Sequence, residues 1–155
     1  MNNQQNELTR LYGMGWGFPL RFALPPSSLG KEDHPPSTVK MSAGAANVAQ
    51  SLALLFQTQP GERIMRPAYG CDMQSAMFST LSEGTLTALH SRIVESVARH
   101  EPRAEEVVIE MLEDTKQRGM LRIAVRYRLA GVAQRVTGQV NVLEELEGGT
   151  AWAIS

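Results

Sequence analysis

Three adjacent residues, Glu101-Pro102-Arg103, set a carboxylate, a rigid ring and a planar guanidinium where a helix-spaced apolar pattern stops and an alternating one starts. Proline disfavours helical geometry in the residue before it, so the preceding helix is expected to finish near His100, with Glu101 already extended. Residues two apart in an extended chain project to one side, which lets Glu101 and Arg103 present their charges together. Two chemistries fit that spacing. One is recognition of a partner; the other is a local ion pair closing a helix-to-strand corner, worth ~0–1 kcal/mol at a surface.

Glu62 and Glu101 also invite comparison with the two carboxylates of a glycosidase. A glycosidase acid needs an apolar pocket to raise its pKa, whereas these two lie beside the cations Arg63 and Arg103. Neither Trp16 nor Trp152 falls in sequence context with a candidate acid, so no aromatic sugar platform is visible. His34, His90 and His100 are too dispersed for a metal motif, and a single cysteine, Cys71, offers neither a disulfide nor a thiolate zinc site. Cys71 near a helix start is expected to be a small buried residue. Gly13-x-Gly15-x-Gly17 lacks the strand, helix and acidic residue of a nucleotide site. No cofactor and no metal are expected.

A further cluster is cationic. Arg122, Arg126 and Arg128 alternate on one face of a strand pattern, with Arg135 on the next strand. They could meet phosphate, an acidic partner or water alone. RNA-binding sheets add exposed aromatics for base stacking, and Tyr127 falls on the opposite, apolar face, so nucleic acid is not expected. The whole chain carries 15 Lys plus Arg against 16 Asp plus Glu, so no global basic field points to nucleic acid either.

The elements that must position these groups are legible from periodicity. The 155 residues fit one domain able to bury a core without staples. Residues 1–11 are Asn/Gln-rich and read as a flexible start. Phe18, Leu20 and Phe22 alternate with Pro19 and Arg21, which predicts a short extended arm laying its apolar face on the core. Residues 25–38 read as loop. Ser42 can cap a helix whose stripe is Ala45, Val48, Ala49, Leu52, Leu55 and Phe56, ended by Gln59-Pro60-Gly61. A structured loop follows over 62–70, and a short helix over about 72–81 points Met73, Ala76 and Met77 inward. A longer helix from about Thr85 carries Leu86, Leu89, Ile93 and Val97 on one face.

After the corner the period changes to two. Val107 to Leu112 are apolar on both sides but for Glu110, which suggests a central, doubly covered strand. Leu121, Ile123, Val125 and Tyr127 take one face of a second strand, and Val136, Gly138, Val140 and Val142 one face of a third, in an antiparallel meander. The acidic stretch 144–147 and Gly148-Gly149 read as loose, with the 148–155 tail disordered or docked on a neighbour. The expected fold class is α+β: about three helices packed on a small, mainly antiparallel sheet, in a single domain over 12–147. Without a signal peptide or an apolar run near 18 residues, the chain is expected to be soluble, cytoplasmic when made, and not membrane-bound.

Four motifs read together carry a resemblance: Gly15-Trp16-Gly17-Phe18-Pro19-Leu20-Arg21-Phe22, Thr58-Gln59-Pro60-Gly61-Glu62-Arg63, Arg66-Pro67-Ala68-Tyr69-Gly70, and Glu101-Pro102-Arg103. In order and spacing, from about residue 12 to 143, the chain resembles the gene-25-like baseplate wedge family of contractile phage tails and injection systems. Ala68 departs from the pattern, since relatives often carry an acidic residue there. The resemblance implies a fold similar to the inner domain of a contractile sheath subunit, and a non-enzymatic role joining the baseplate wedge to the sheath. It implies that the protein initiates sheath polymerisation by β-strand exchange, that Glu101, Pro102 and Arg103 anchor to the wedge core bundle, and that Glu62 and Arg63 adjoin them. The arginine face of the sheet would then turn to the sheath. Implied partners are the sheath subunit, wedge proteins and tube or hub proteins, in several copies per particle, first in the bacterial cytoplasm and then in the baseplate. The competing enzyme class is a peptidoglycan hydrolase of the tail.

Overall fold

Periodicity and glycine placement together account for the elements of the computed structural model, which describes residues 3–23, 38–77, 82–141 and 151–154. The chain divides into two compact units, Met1–Gln50 and Ser51–Ser155, where the sequence pattern suggested one domain from residue 12 to 147. The boundary falls inside a helix.

In the first unit, α1 (Asn3–Tyr12) occupies most of the stretch that read as a flexible start. Gly13 ends it with φ +73° while its N–H still reaches the Thr9 carbonyl at 2.9 Å, the left-handed cap that glycine adopts at least cost. β1 (Met14–Trp16) then pairs antiparallel with β4 (Met41–Ala43), and β2 (Phe22–Ala23) with β3 (Thr38–Val39). Ser42 is therefore not a helix cap. It sits in β4 opposite Gly15, and α2 (Gly44–Gln57) starts at Gly44, whose φ of +58° turns the chain out of the strand. The arm predicted to lie on the core also behaves differently: Phe18, Leu20 and Phe22 are all exposed. Its backbone is what is secured, because Gln50 accepts from the Phe18 N–H at 2.9 Å and donates to the Trp16 carbonyl at 2.7 Å.

In the second unit, the α2 stripe continues as predicted through Leu52, Leu55 and Phe56, all buried. α3 (Gln74–Met77) is shorter than the 72–81 expectation; residues 78–81 and the side chains of Ala76 and Met77 lie outside the described residues, while Met73 is buried as expected. α4 (Glu83–His100) begins on Ser82, whose hydroxyl accepts from the Thr85 N–H at 3.3 Å, and buries Leu89, Ile93, Ser96 and Val97.

The meander is present and has a fourth strand. β5 (Glu105–Glu113), β6 (Met120–Leu129), β7 (Val132–Asn141) and β8 (Ala151–Ile154) pair in that order, all antiparallel. Among the described residues β5 is thus an edge strand, not a central one. Val107, Ile109 and Met111 are half-buried, but Val108 and Leu112 are exposed on the other face, so its double apolar pattern does not mean double coverage. The tail supplies β8: Trp152 lies opposite Gly138 and stacks on Phe56 with ring centroids 4.4 Å apart. A side chain at position 138 would occupy the space of that indole, so glycine there is a packing requirement. Val142, the acidic 144–147 stretch and the 25–37 loop fall outside the described residues.

Candidate functional site

The corner forms because α4 runs out of favourable geometry at the proline. Glu101 is the C-cap, its N–H bonded to the Val97 carbonyl at 2.8 Å. Pro102 and Arg103 then make a turn closed by the Ala104 N–H on the Glu101 carbonyl at 3.1 Å. The backbone at Glu101 (φ −135°, ψ 64°) is not a regular strand, and the turn folds Arg103 back over its neighbour. Nε and Nη2 of Arg103 donate to the two carboxylate oxygens of Glu101 at 2.5 and 2.6 Å, a forked charge-assisted pair. Glu101 is only 2% exposed, so the two charges are not presented side by side as the extended reading predicted. What faces outward is Pro102 and part of the guanidinium, whose acidity is weakened further by the Glu101 hydrogen bonds.

The 58–73 loop abuts this corner. Thr58 bonds the end of α2 through the Leu54 carbonyl at 2.6 Å and accepts the Cys71 N–H at 2.9 Å, clamping both ends of the loop. Gly70, at φ +132°, runs so close to the backbone of Thr58, Gln59 and Pro60 that no Cβ could fit. Its carbonyl accepts the buried Ser96 hydroxyl of α4 at 2.8 Å. Glu62 stays exposed and folds back on its own loop, accepting the Gln59 N–H at 2.9 Å, while the Arg63 guanidinium lies 4.2 Å from the centre of the Tyr69 ring. Tyr69 in turn meets the His100 ring edge-on at 5.1 Å, and His100 Nε2 contacts the Ala68 carbonyl at 3.0 Å. A chain of contacts therefore joins Arg63 to the residue beside Glu101.

The buried carboxylate is felt nearby. Burial raises the Tyr127 hydroxyl to about 12, with the Glu101 charge adding to it, and raises Tyr69 despite the opposing pull of Arg63. Cys71 is buried and is pushed up to about 11, mainly by burial, so it is a packed thiol and not a nucleophile at neutral pH. Among the described residues no group of three or more His, Cys, Asp or Glu is placed to hold a metal ion, and no helix is long and apolar enough to cross a membrane.

The arginine row lies apart from the corner, on the exposed face of the sheet. Each member on β6 meets a carboxylate on or next to β5: Arg122 with Asp114 at 2.7 Å, Arg126 with Glu110, and Arg128 with Glu106 at 3.3 Å. Asp114 is held below the usual carboxylate range first by the Lys116 N–H and also by Arg122. Arg135 is exposed opposite Arg126. Sequence reasoning did not place Tyr69, Ser96 or Tyr127 at the corner, because each owes its position to contacts across the unit; the one local signal was Gly70, whose loop brings Tyr69 to α4.

A model of the family described as baseplate wedge protein gp25 matches residues 42–134. The chain is 35% identical to a chain of the anti-feeding prophage baseplate, covering 81% of this chain and 92% of that one with a TM-score of 0.67. It is 26% identical over 74 residues to the baseplate wedge protein gp25 of Enterobacteria phage T4, a match spanning 48% of this chain and only 56% of the T4 protein. It also resembles, at 26% identity and a TM-score of 0.57 over 63% of its length and 90% of the other, a Geobacter sulfurreducens protein provisionally called a tail lysozyme. These likenesses and the α+β fold define a structural component of a baseplate. The chain belongs to the baseplate wedge protein gp25 family.

Proposed function

We propose that this protein joins the baseplate wedge to the contractile sheath and starts sheath polymerisation by lending a sheet edge to the first sheath subunits. What supports the reading is β5: nine residues long, hydrogen-bonded to β6 on one side and, among the described residues, to no strand on the other. An unpaired edge is a template for a further strand, and main-chain hydrogen bonds would supply much of the contact. Beside it, Val108 and Leu112 stand exposed among the arginine–carboxylate pairs, a mixed apolar and polar face suited to a protein partner. In this reading the sheath meets Arg122, Arg126, Arg128 and Arg135, while Glu101, Pro102, Arg103, Glu62 and Arg63 stand on the wedge side. Tube or hub proteins complete the setting, several copies enter each particle, and assembly takes place in the cytoplasm before the protein becomes part of the baseplate.

No enzymatic step is assigned. Both carboxylate oxygens of Glu101 are held by one guanidinium and Glu62 is turned onto its own loop, so neither offers a proton donor to a sugar. A light-scattering assay tests the proposal: substoichiometric protein should shorten the lag of sheath polymerisation, and Val108→Lys with Leu112→Lys should abolish the effect. An unchanged lag with the unmodified protein would sink the sheath role. Clearing of purified cell walls that depends on Glu62 or Glu101 would replace it with hydrolase activity.

A further inference from the structure

At the tip of the 58–73 loop, Ile64 and Met65 are 96% and 91% exposed. Large apolar side chains bared to this degree are not unusual one at a time, but here two are adjacent on a loop whose shape is fixed. The Gly61 N–H bonds the Pro67 carbonyl at 2.7 Å, the Arg66 N–H the Arg63 carbonyl at 3.1 Å, and the Tyr69 N–H the Arg66 carbonyl at 3.0 Å. Arg63 is pinned on Tyr69, and both loop ends are clamped through Thr58. The tip is thus preorganised, so little further ordering would be needed for it to enter a cavity. The two residues that flank it in sequence are both cationic, Arg63 before it and Arg66 after it, while the Glu62 carboxylate is directed to the Gln59 N–H at the start of the loop.

We infer that Ile64 and Met65 form a plug that inserts into an apolar groove, edged by carboxylates, on a baseplate wedge subunit. The inference rests on the wedge-facing role proposed above and extends it to two residues outside the charged motifs. Charge complementarity selects an acidic rim, and the Arg63–Tyr69–His100 contacts carry the surface from the plug to the Glu101–Arg103 corner without a break. Small apolar anchors within a polar ring are the usual way such contacts concentrate their affinity. The corner then acts as a rigid support for the plug, since its carboxylate is not itself exposed.

The test measures binding of the full chain to the purified wedge protein of the same particle by titration calorimetry. Ile64→Ser with Met65→Ser should weaken the affinity about a hundredfold or more, given the side-chain area withdrawn from the interface. Arg66→Glu should weaken it and flatten its salt dependence. Far-UV circular dichroism should be unchanged in both variants, because the substituted side chains are in solvent. If the unmodified chain binds and the Ile64/Met65 variant binds equally well, the plug is overturned while the wedge-facing role stands. If the unmodified chain does not bind, both fall. Co-sedimentation with phosphatidylglycerol vesicles that is lost in the same variant, with wedge affinity unaltered, would assign the tip to a lipid surface and overturn the plug.

Discussion

The second unit holds two sets of arginine–carboxylate pairs that differ chiefly in their access to water. At the corner, a nearly buried glutamate is gripped by two nitrogens of a guanidinium from two residues away. On the sheet face, Arg122, Arg126 and Arg128 reach across to β5 from positions that remain in contact with solvent. Solvent reaches both partners of Arg126–Glu110 and Arg128–Glu106 and leaves those pairs weak, whereas a buried carboxylate deprived of its partner has no water to replace it. The corner is therefore a structural lock, and the row is a surface that can exchange its partners.

Removing one half of the lock should produce the largest effect. Arg103→Ala is expected to destabilise the protein by about 3–5 kcal/mol in urea unfolding, since it strands Glu101. Replacing both residues, Glu101→Met with Arg103→Met, should return stability to within about 1–2 kcal/mol of the original or better. Wedge binding measured on that double variant then separates a purely structural corner, which predicts unchanged affinity, from the interface role proposed for it.

Burial acts on neutral groups in the same way, and alkaline titration sharpens the contrast. The Cys71 thiol is raised from 9.0 to about 11 in the folded protein. Its stabilising contribution is fully present below pH 9 and is lost as pH rises through about 11, an effect of ~2–3 kcal/mol. Tyr127, raised to about 12, acts in the same direction at the upper end of that range. Urea midpoints measured from pH 8 to 11 should fall, and Cys71→Ala should remove much of the decline. The smallest effect belongs to the surface set: Arg126→Ala should cost about 0.2–1 kcal/mol and less in high salt. A loss near that of Arg103→Ala would erase the distinction between the two regions.

Much of the scaffold was legible because its cause is local. The stripe at Leu52, Leu55 and Phe56, the stripe at Leu89, Ile93 and Val97, and the alternation through Leu121 to Tyr127 each bury the predicted face. The misreadings have a common source, which is that periodicity identifies an apolar face without naming what covers it. Val108 and Leu112 looked like the second face of a central strand and belong to an exposed edge; Phe18, Leu20 and Phe22 looked like a packed arm and face solvent. Ser42 has the chemistry of a cap, but β1 claims the backbone of Met41–Ala43 first. The Ala151-Trp152-Ala153-Ile154 end reads as disordered or docked on a neighbour because no local pattern announces that β7 has an edge and a glycine to receive it.

At the candidate site, Glu101, Pro102 and Arg103 are visible from residue type and spacing, whereas Glu62 and Arg63 join them only through the family resemblance. Their division of labour is not visible in either way. Glu101 is buried, Glu62 folds back on its own loop and Arg63 lies across Tyr69, while two strongly exposed apolar residues of the loop, Ile64 and Met65, sit in a stretch whose pattern only indicates turns.

By itself, the sequence determined where the two long helices and the three strands of the meander lie, where the second of those helices must stop, and which residues bring opposite charges to the corner, since proline geometry and apolar spacing act within a few residues. Only the tertiary structure decided which carboxylate is buried, which strand is left at the edge and which apolar groups remain in water. Those outcomes depend on what packs against each face, and no short-range pattern contains that information.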